Sequence, residues 1–166
     1  MHLICNQRVV GSSPISGYAR KERGMSISSI DVVVDDGGFE PVRAHEEDAG
    51  LDLRTPERVV IPSGGSAIID TKTHICLPKG YYGKLESKSG LNVKHDVVSL
   101  GGTIDSGYTG SIVAKLYNFG KEDYVFEKGD KCVQFVIMAC ELPTISFVDE
   151  LSDTERGCSG FGSSGR

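Results

Sequence analysis

From Ile27 onward no stretch sustains the 3.6-residue apolar spacing of a long amphipathic helix, and this constrains the fold more than any other property of the chain. What appears instead are short runs rich in Val, Ile, Tyr and Phe: "ISSIDVVV", "ERVVI", "SAIIDTKTHICL", "YYGKLES", "DVVSL", "SIVAKLYNF", "DYVFE" and "KCVQFVIMAC". Gly, Pro, Asp or Asn clusters separate them roughly every eight to twelve residues. The pattern predicts an all-β protein, a jelly-roll-like barrel or sandwich. One short helix is expected, over "SGLNVKH" from Ser89 to His95, and no repeat of fixed length is present.

A chain of 166 residues suffices for one domain with a sizeable core and is short for two. Its net charge of −5 argues against a nucleic-acid partner, which would need a basic face to displace counterions from phosphates. A local anion site is still compatible with that charge. The five cysteines are odd in number and include no CxxC pair, so neither a disulfide framework nor a zinc knuckle is suggested, and a reducing cytoplasm fits best. No apolar run approaches the roughly 18 residues of a membrane span, and the N-terminus lacks a signal-peptide pattern. Residues 1–24 have no sustained period and read as a disordered extension, with Met25 as the expected natural start. Residues 25–152 then form the β domain, and 153–166 a flexible Gly/Ser-rich tail.

Several stretches carry chemistry. In "DAGLDLRT" a strand would turn the two leucines to one face and Asp52 to the other, which taken alone reads as a solvated carboxylate. In "YGKLESKSGLN", Lys88, Ser89 and Gly90 fall where a strand ends and a helical turn begins; a cation, a hydroxyl and exposed N–H groups together suit phosphate oxygens. In "LGGTIDSGYTGSIVAKLYN", two glycines lead into an alternating run, a turn at Asp105-Ser106-Gly107-Tyr108 and a second β-rich run. This predicts a β-hairpin with its tip at Ser106-Gly107. Gly101 and Gly102 leave the backbone bare where a flat ring could approach. Turn chemistry explains the glycines but gives no reason for Asp105 and Tyr108 to flank the tip together. "KGDKCVQFVIMAC" places Gln134 inside an apolar strand, facing either water or a ligand. The tail "RGCSGFGSSGR" contains GxxGxG but has neither the strand-to-helix context of a dinucleotide loop nor the ending of a P-loop. Its composition is that of a flexible linker, except for Phe161 and two arginines.

Taken in order, "AGLDL", "SKSGL", "GGTIDSGYTG", "GDKCVQF" and "RGCSGFGSSGR" closely resemble the five successive motifs of the trimeric dUTPase family, the dUTP diphosphatases, from about Ile27 to Arg166. The resemblance implies a jelly-roll β-barrel, a homotrimer with active sites shared between subunits, and Mg2+-dependent hydrolysis of dUTP to dUMP and pyrophosphate. Such an activity limits uracil incorporation into DNA and supplies dUMP for dTTP synthesis. By similarity, uracil would pair with the main chain around Gly101, Gly102, Thr103, Ile104 and Val113, and a mismatched base would leave buried polar groups unpaired. Tyr108 would lie under the deoxyribose. Asp105 would act as general base on the water that attacks the α-phosphorus. Lys88, Ser89 and Gly90 would bind the phosphate chain, Gln134 would orient the α-phosphate with Lys131 assisting, and Asp52 would reach Mg2+ through water. Arg156, Phe161, Gly162, Ser163 and Ser164 would close over the nucleotide, Phe161 stacking on uracil.

Three positions depart from the family's usual pattern. Lys88 stands where an arginine is common, which gives up the bidentate fork and keeps a point charge. Glu86 is acidic beside an expected phosphate site, and Thr103 replaces a common aliphatic residue. Two other readings compete. A dCTP deaminase would use a pocket glutamate where this chain has Asp105. A nucleotide-gated regulatory protein has no dedicated insert here between the third and fourth motifs.

Overall fold

The computed structural model describes residues 27–155, 157 and 158. The expectations for residues 1–24 and Met25, and for Arg156, Phe161, Gly162, Ser163 and Ser164, lie outside the described residues. The strands are β1 (Asp31–Val34), β2 (Gly50–Arg54), β3 (Val59–Ile61), β4 (Ser66–Asp70), β5 (Thr73–Cys76), β6 (Tyr81–Glu86), β7 (Val97–Ser99), β8 (Thr103–Asp105), β9 (Val113–Asn118), β10 (Tyr124–Phe126) and β11 (Lys131–Ala139). Among the described residues a single helix, α1 (Ser89–His95), interrupts them with the bounds the sequence predicts.

β11 is the longest strand and organises the largest sheet, of order β2-β11-β6-β8, by pairing antiparallel with β2 on one side and β6 on the other. The remaining strands form sheets of order β4-β9-β7, β1-β5 and β10-β3. Among the described residues, hydrogen bonding does not close the strands into one continuous barrel. They enclose one apolar cluster as a jelly-roll-like sandwich, to which each sheet contributes: Leu53, Leu85 and Phe135 from the first, Ile69 and Leu116 from the second, Ile75 from the third, and Ile61 and Phe126 from the fourth. The alternation along β9, with Ala114, Leu116 and Asn118 buried and Val113 and Lys115 exposed, is the period-2 pattern of a strand with one wet face.

Two expectations change in the fold. "SAIIDTKTHICL" is not one strand: Lys72 adopts φ 56°, and its N–H donates to Asp70 Oδ1 at 2.9 Å, so the chain turns and β4 and β5 enter different sheets. The predicted hairpin has its turn but not its pairing. The Tyr108 N–H donates to the Asp105 carbonyl at 3.0 Å, closing the turn. Its arms then diverge, because β8 bonds to β6 whereas β9 lies between β4 and β7. Both arms satisfy their backbone groups in separate sheets, so the turn is a corner of the sandwich.

α1 forms because Leu91 is buried while Lys94 and His95 occupy its last turn, where positive charge suits the helix dipole. Asp96, at φ 53°, ends it by donating its N–H to the Asn92 carbonyl at 3.1 Å. The β6–α1 junction is latched to the end of β7: Ser87 Oγ accepts from the Ser99 N–H at 2.8 Å and donates to the Ser99 carbonyl at 3.1 Å.

Close packing makes Gly83 on β6 obligatory, since a Cβ there would come within 2.1 Å of Phe135 Cζ. Gly83→Ala is expected to lower unfolding free energy by about 1–3 kcal/mol, the usual cost of overpacking, measured by urea denaturation. An unchanged midpoint would contradict the packing described.

Candidate active site

At the centre of the site is the first motif's carboxylate. Asp52 on β2 is only 3% exposed, so it is not the solvated carboxylate that the alternation of "GLDL" suggests. Its side chain points away from Leu53 as expected, but other side chains cover that face. Lys88 Nζ donates to Oδ1, and Lys131 Nζ lies 2.7 Å from Oδ2. Burial pushes the Asp52 carboxyl up, but hydrogen bonds from Lys131 and Lys88 and their positive charges outweigh it and hold the carboxyl below its usual range. Beneath it, burial pushes the Cys132 thiol up to about 12, so that this cysteine is a packed thiol and not a nucleophile.

Gln134 occupies the same row of the sheet, opposite Asp52 on one side and Glu86 on the other, and is half-buried. Glu86 is therefore not turned away from the cationic cluster by the backbone. Its charge is met by Lys84, which forms an ion pair with it on the same face of β6. Ser89 and Gly90 begin α1 directly after Lys88, and both are exposed. The first-, second- and fourth-motif residues thus converge.

The third motif occupies the other edge of the sheet. Gly101 and Gly102 have φ values of 89° and 120°, which favour glycine, and the Leu85 N–H donates to the Gly102 carbonyl at 2.9 Å. A Cβ on Gly102 would press on the Leu85 side chain at 2.9 Å, whereas one on Gly101 would meet nothing within 4 Å among the described residues. Thr103, Ile104 and Asp105 form β8, with Asp105 exposed and opposite Tyr82. Asp105 lies three strands across from Asp52 and four residues further along, roughly 20 Å away at ordinary strand spacing and rise. Val113 opens β9 in the neighbouring sheet, opposite Asp70, and is exposed. Within one chain the expected site residues therefore fall into two separate groups.

Contacts within and beyond the third motif hold the turn between β8 and β9. Tyr108 Oη donates to the Ser111 carbonyl at 2.9 Å, and its ring covers Gly110, where a Cβ would lie 2.4 Å from Oη. Ser111 Oγ donates to Asp70, and this bond, with the Lys72 N–H, holds the Asp70 carboxyl below its usual range. The Ile112 N–H donates to the Thr73 carbonyl at 2.8 Å. Asp70, His74, Ser99 and Ser111 lie outside the quoted motifs, and Ser87 lies inside one without an assigned role, because none has a local spacing that signals its partner. The polar "DTKTH" run inside a β-rich segment hints at Asp70 and His74 alone.

A β-sandwich that fixes two ammonium groups on a buried carboxylate, beside a bare glycine turn and an exposed Asp–Tyr turn, has the scaffold and donors of an anion-handling enzyme. The dUTPase family profile matches residues 40–165. A deoxyuridine 5'-triphosphate nucleotidohydrolase of Clostridium acetobutylicum is 43% identical over 134 residues, covering 80% of this chain and 92% of its own. The dUTPase of Staphylococcus bacteriophage 80alpha, solved with dUpNHpp, superposes with a TM-score of 0.79 at 30% identity, covering 84% of this chain and all of its own. A variant of the dUTPase from phage phi11 of S. aureus, described with a structural Mg(II) ion, superposes with a TM-score of 0.70 at 27% identity over 75% of this chain and 99% of its own. This chain belongs to the dUTPase family.

Asp52 supplies a pH-dependent test of the cluster. Its lowered folded-state pKa means that its stabilisation is present above the unfolded value of about 3.9 and is lost as pH falls through the lower folded value. Asp52→Asn should remove about 3 kcal/mol at neutral pH, as expected for breaking a buried ion pair, and should flatten the acid limb of the stability–pH curve. Urea unfolding across that range checks both, and an unaltered acid limb would contradict the ion-pair assignment.

Proposed function

We propose that the chain hydrolyses dUTP to dUMP and pyrophosphate, limiting uracil incorporation into DNA and supplying dUMP for dTTP synthesis. The observation that carries the reading is the cluster of Lys88, Lys131 and Gln134 around buried Asp52 in a member of the dUTPase family. Two ammonium groups held at one point suit a polyphosphate, whose charge increases in the transition state. Lys88, Ser89 and Gly90 bind the phosphate chain, and Gln134 orients the α-phosphate with Lys131. Asp105 takes a proton from the attacking water, and Tyr108, fixed over Gly110, supports the deoxyribose. The main chain around Gly101, Gly102, Thr103, Ile104 and Val113 receives uracil, while Arg156, Phe161, Gly162, Ser163 and Ser164 close over the nucleotide.

The residues fit Mg2+. Among the described residues no three His, Cys, Asp or Glu side chains form a metal cage, which suits an ion bound chiefly by triphosphate oxygens and water. Each Asp52 oxygen retains a lone pair beyond its ammonium partner and can accept a bond from metal-bound water. When bound, Mg2+ would neutralise phosphate charge and polarise the reacting phosphoryl group.

The roughly 20 Å between Asp105 and Asp52 in one chain is too far for both to serve one α-phosphate, so Asp105 of one copy is paired with the cluster of another. A homotrimer with shared sites meets that requirement. The described residues 141–155 also form no strand or helix, yet leave Leu142, Ile145, Phe147, Val148 and Leu151 between 60% and 94% exposed. An apolar arm of this kind calls for a neighbouring copy to cover it. The described cysteines Cys76, Cys132, Cys140 and Cys158 are free thiols, and among the described residues no helix is long and apolar enough to cross a membrane. The thiols suit a reducing cytoplasm.

Pyrophosphate release from dUTP, dTTP, dCTP and UTP, measured side by side, tests the reading: dUTP should be turned over with strong preference. Ammonia release from dCTP without pyrophosphate from dUTP would replace this activity with deamination. Asp105→Asn should lower kcat by about 100-fold or more while leaving nucleotide affinity within a few-fold, because a general base is lost and the pocket is kept. Light scattering should give three times the chain mass at micromolar concentration. A monomer would sink the shared-site proposal.

A further inference from the structure

The turn carrying Asp105 and Tyr108 is fastened by a side chain that the proposed reaction does not use. His74 on β5 has both ring nitrogens engaged: Nδ1 lies 2.9 Å from the Thr109 carbonyl oxygen, and Nε2 lies 3.0 Å from Oδ2 of Asp35. A carbonyl oxygen and an ionised carboxylate can only accept hydrogen bonds. Both contacts are therefore bonds only when both nitrogens carry protons, as in the imidazolium. In either neutral tautomer a nitrogen lone pair faces one of the two oxygens, and that contact becomes repulsive.

We propose that His74 is a positioning residue whose imidazolium, backed by Asp35, holds the segment around Thr109 and so sets the Asp105–Tyr108 turn for the deoxynucleoside of dUTP. The inference rests on the dUTP reading above. Thr109 adjoins Tyr108, and the segment has this charge-dependent fastener beside the Ser111–Asp70, Tyr108–Ser111 and Ile112–Thr73 bonds. Loss of the first loosens the turn without releasing it.

The groups around His74 favour the charged ring. Asp35 follows β1 and Asp70 ends β4, and both carboxylates favour a cation; Asp31 of β1 and Cys76 of β5 line the same pocket. The turn segment contributes the Thr109 carbonyl. The hydrogen bond with Asp35 is the largest influence, followed by that with Thr109; they outweigh desolvation and raise the imidazole pKa above its ordinary value. Because the shift is upward, the strut is fully present below about pH 6.5 and is lost as pH rises through the higher folded value.

The experiment compares dUTP hydrolysis by the wild type, His74→Gln and His74→Lys between about pH 6 and pH 9, the range a shifted histidine covers. At the acid end His74→Gln should raise KM on the order of tenfold, the worth of one charge-assisted hydrogen bond, with little change in kcat. The ratio of its KM to that of the wild type should fall towards one as pH rises, because the wild type then loses the same strut. Titration of the substrate's own phosphates cancels in that ratio. His74→Lys, cationic throughout, should keep KM near the wild-type acid value across the range. A ratio that does not change with pH, or equal KM values at the acid end, overturns the proposal. Nuclear magnetic resonance without substrate separates this failure from that of the activity. The His74 ring should titrate above its ordinary value together with the amides of Tyr108 to Ser111, even in a protein that releases no pyrophosphate. Uncoupled titration overturns the positioning role alone.

Discussion

Burying the Asp52 carboxylate between two ammonium groups ties together parts of the chain that are distant in sequence. Asp52 lies on β2, Lys88 at the β6–α1 junction and Lys131 at the start of β11. A carboxylate taken out of water costs several kcal/mol unless its charge is met, and here each oxygen has its own cation. Exposed lysines would hold such pairs weakly, since a flexible four-carbon stem loses rotamer freedom on pairing. Burial of the anion makes the arrangement specific. It also bears on the lysine that stands where the family commonly has arginine. Lys88 lacks the planar fork that aligns phosphates, but its anchor on Asp52 limits where its charge can go. Gln134, in the same row of the sheet, adds a directional amide beside two point charges.

The same sheet keeps the rest of the chemistry at a distance. Because β8 is bonded to the outer edge of β6 while β9 crosses into the β4–β9–β7 sheet, the Asp105–Tyr108 turn forms a corner between layers. A corner cannot lean on a continuous strand pair, and its fasteners come from side chains instead: Ser111 on Asp70, Tyr108 on the Ser111 carbonyl, and His74 on the Thr109 carbonyl. Geometry within one chain leaves the Asp105 carboxylate and the Lys88–Lys131 cluster towards opposite edges of a four-stranded sheet. The apolar residues of the arm after β11 are exposed in the same single chain. Both features are reconciled when copies of the chain complete one another's sites.

Much of this was legible in the sequence, for local reasons. The β-rich runs located nearly all the strands, since alternation and turn residues act within a few neighbours. α1 was predicted with its observed bounds because Leu91, Lys94 and His95 already specify a short amphipathic helix. The Asp105–Tyr108 turn was legible in its glycine. The failures concern which elements meet. "GLDL" gives Asp52 a face but does not say that Lys88 and Lys131 will cover it. "TIDSGYTGSIV" gives two strands and a turn but not that each strand has a better partner elsewhere. The run from Ser66 to Leu77 gives no warning, beyond its polar centre, that Lys72 will take a left-handed conformation.

By itself, then, the sequence determined the all-β class, the order of the motifs and the residue types that can bind phosphate, hold a water or meet a base, because those depend on side-chain chemistry and spacing along one chain. Only the tertiary structure decided that Asp52 is buried, that Glu86 is paired with Lys84, that the expected hairpin is a corner between sheets and that His74 reaches Thr109 and Asp35. These depend on contacts between residues far apart in the chain. Strand register, and not any local pattern, brings such residues together.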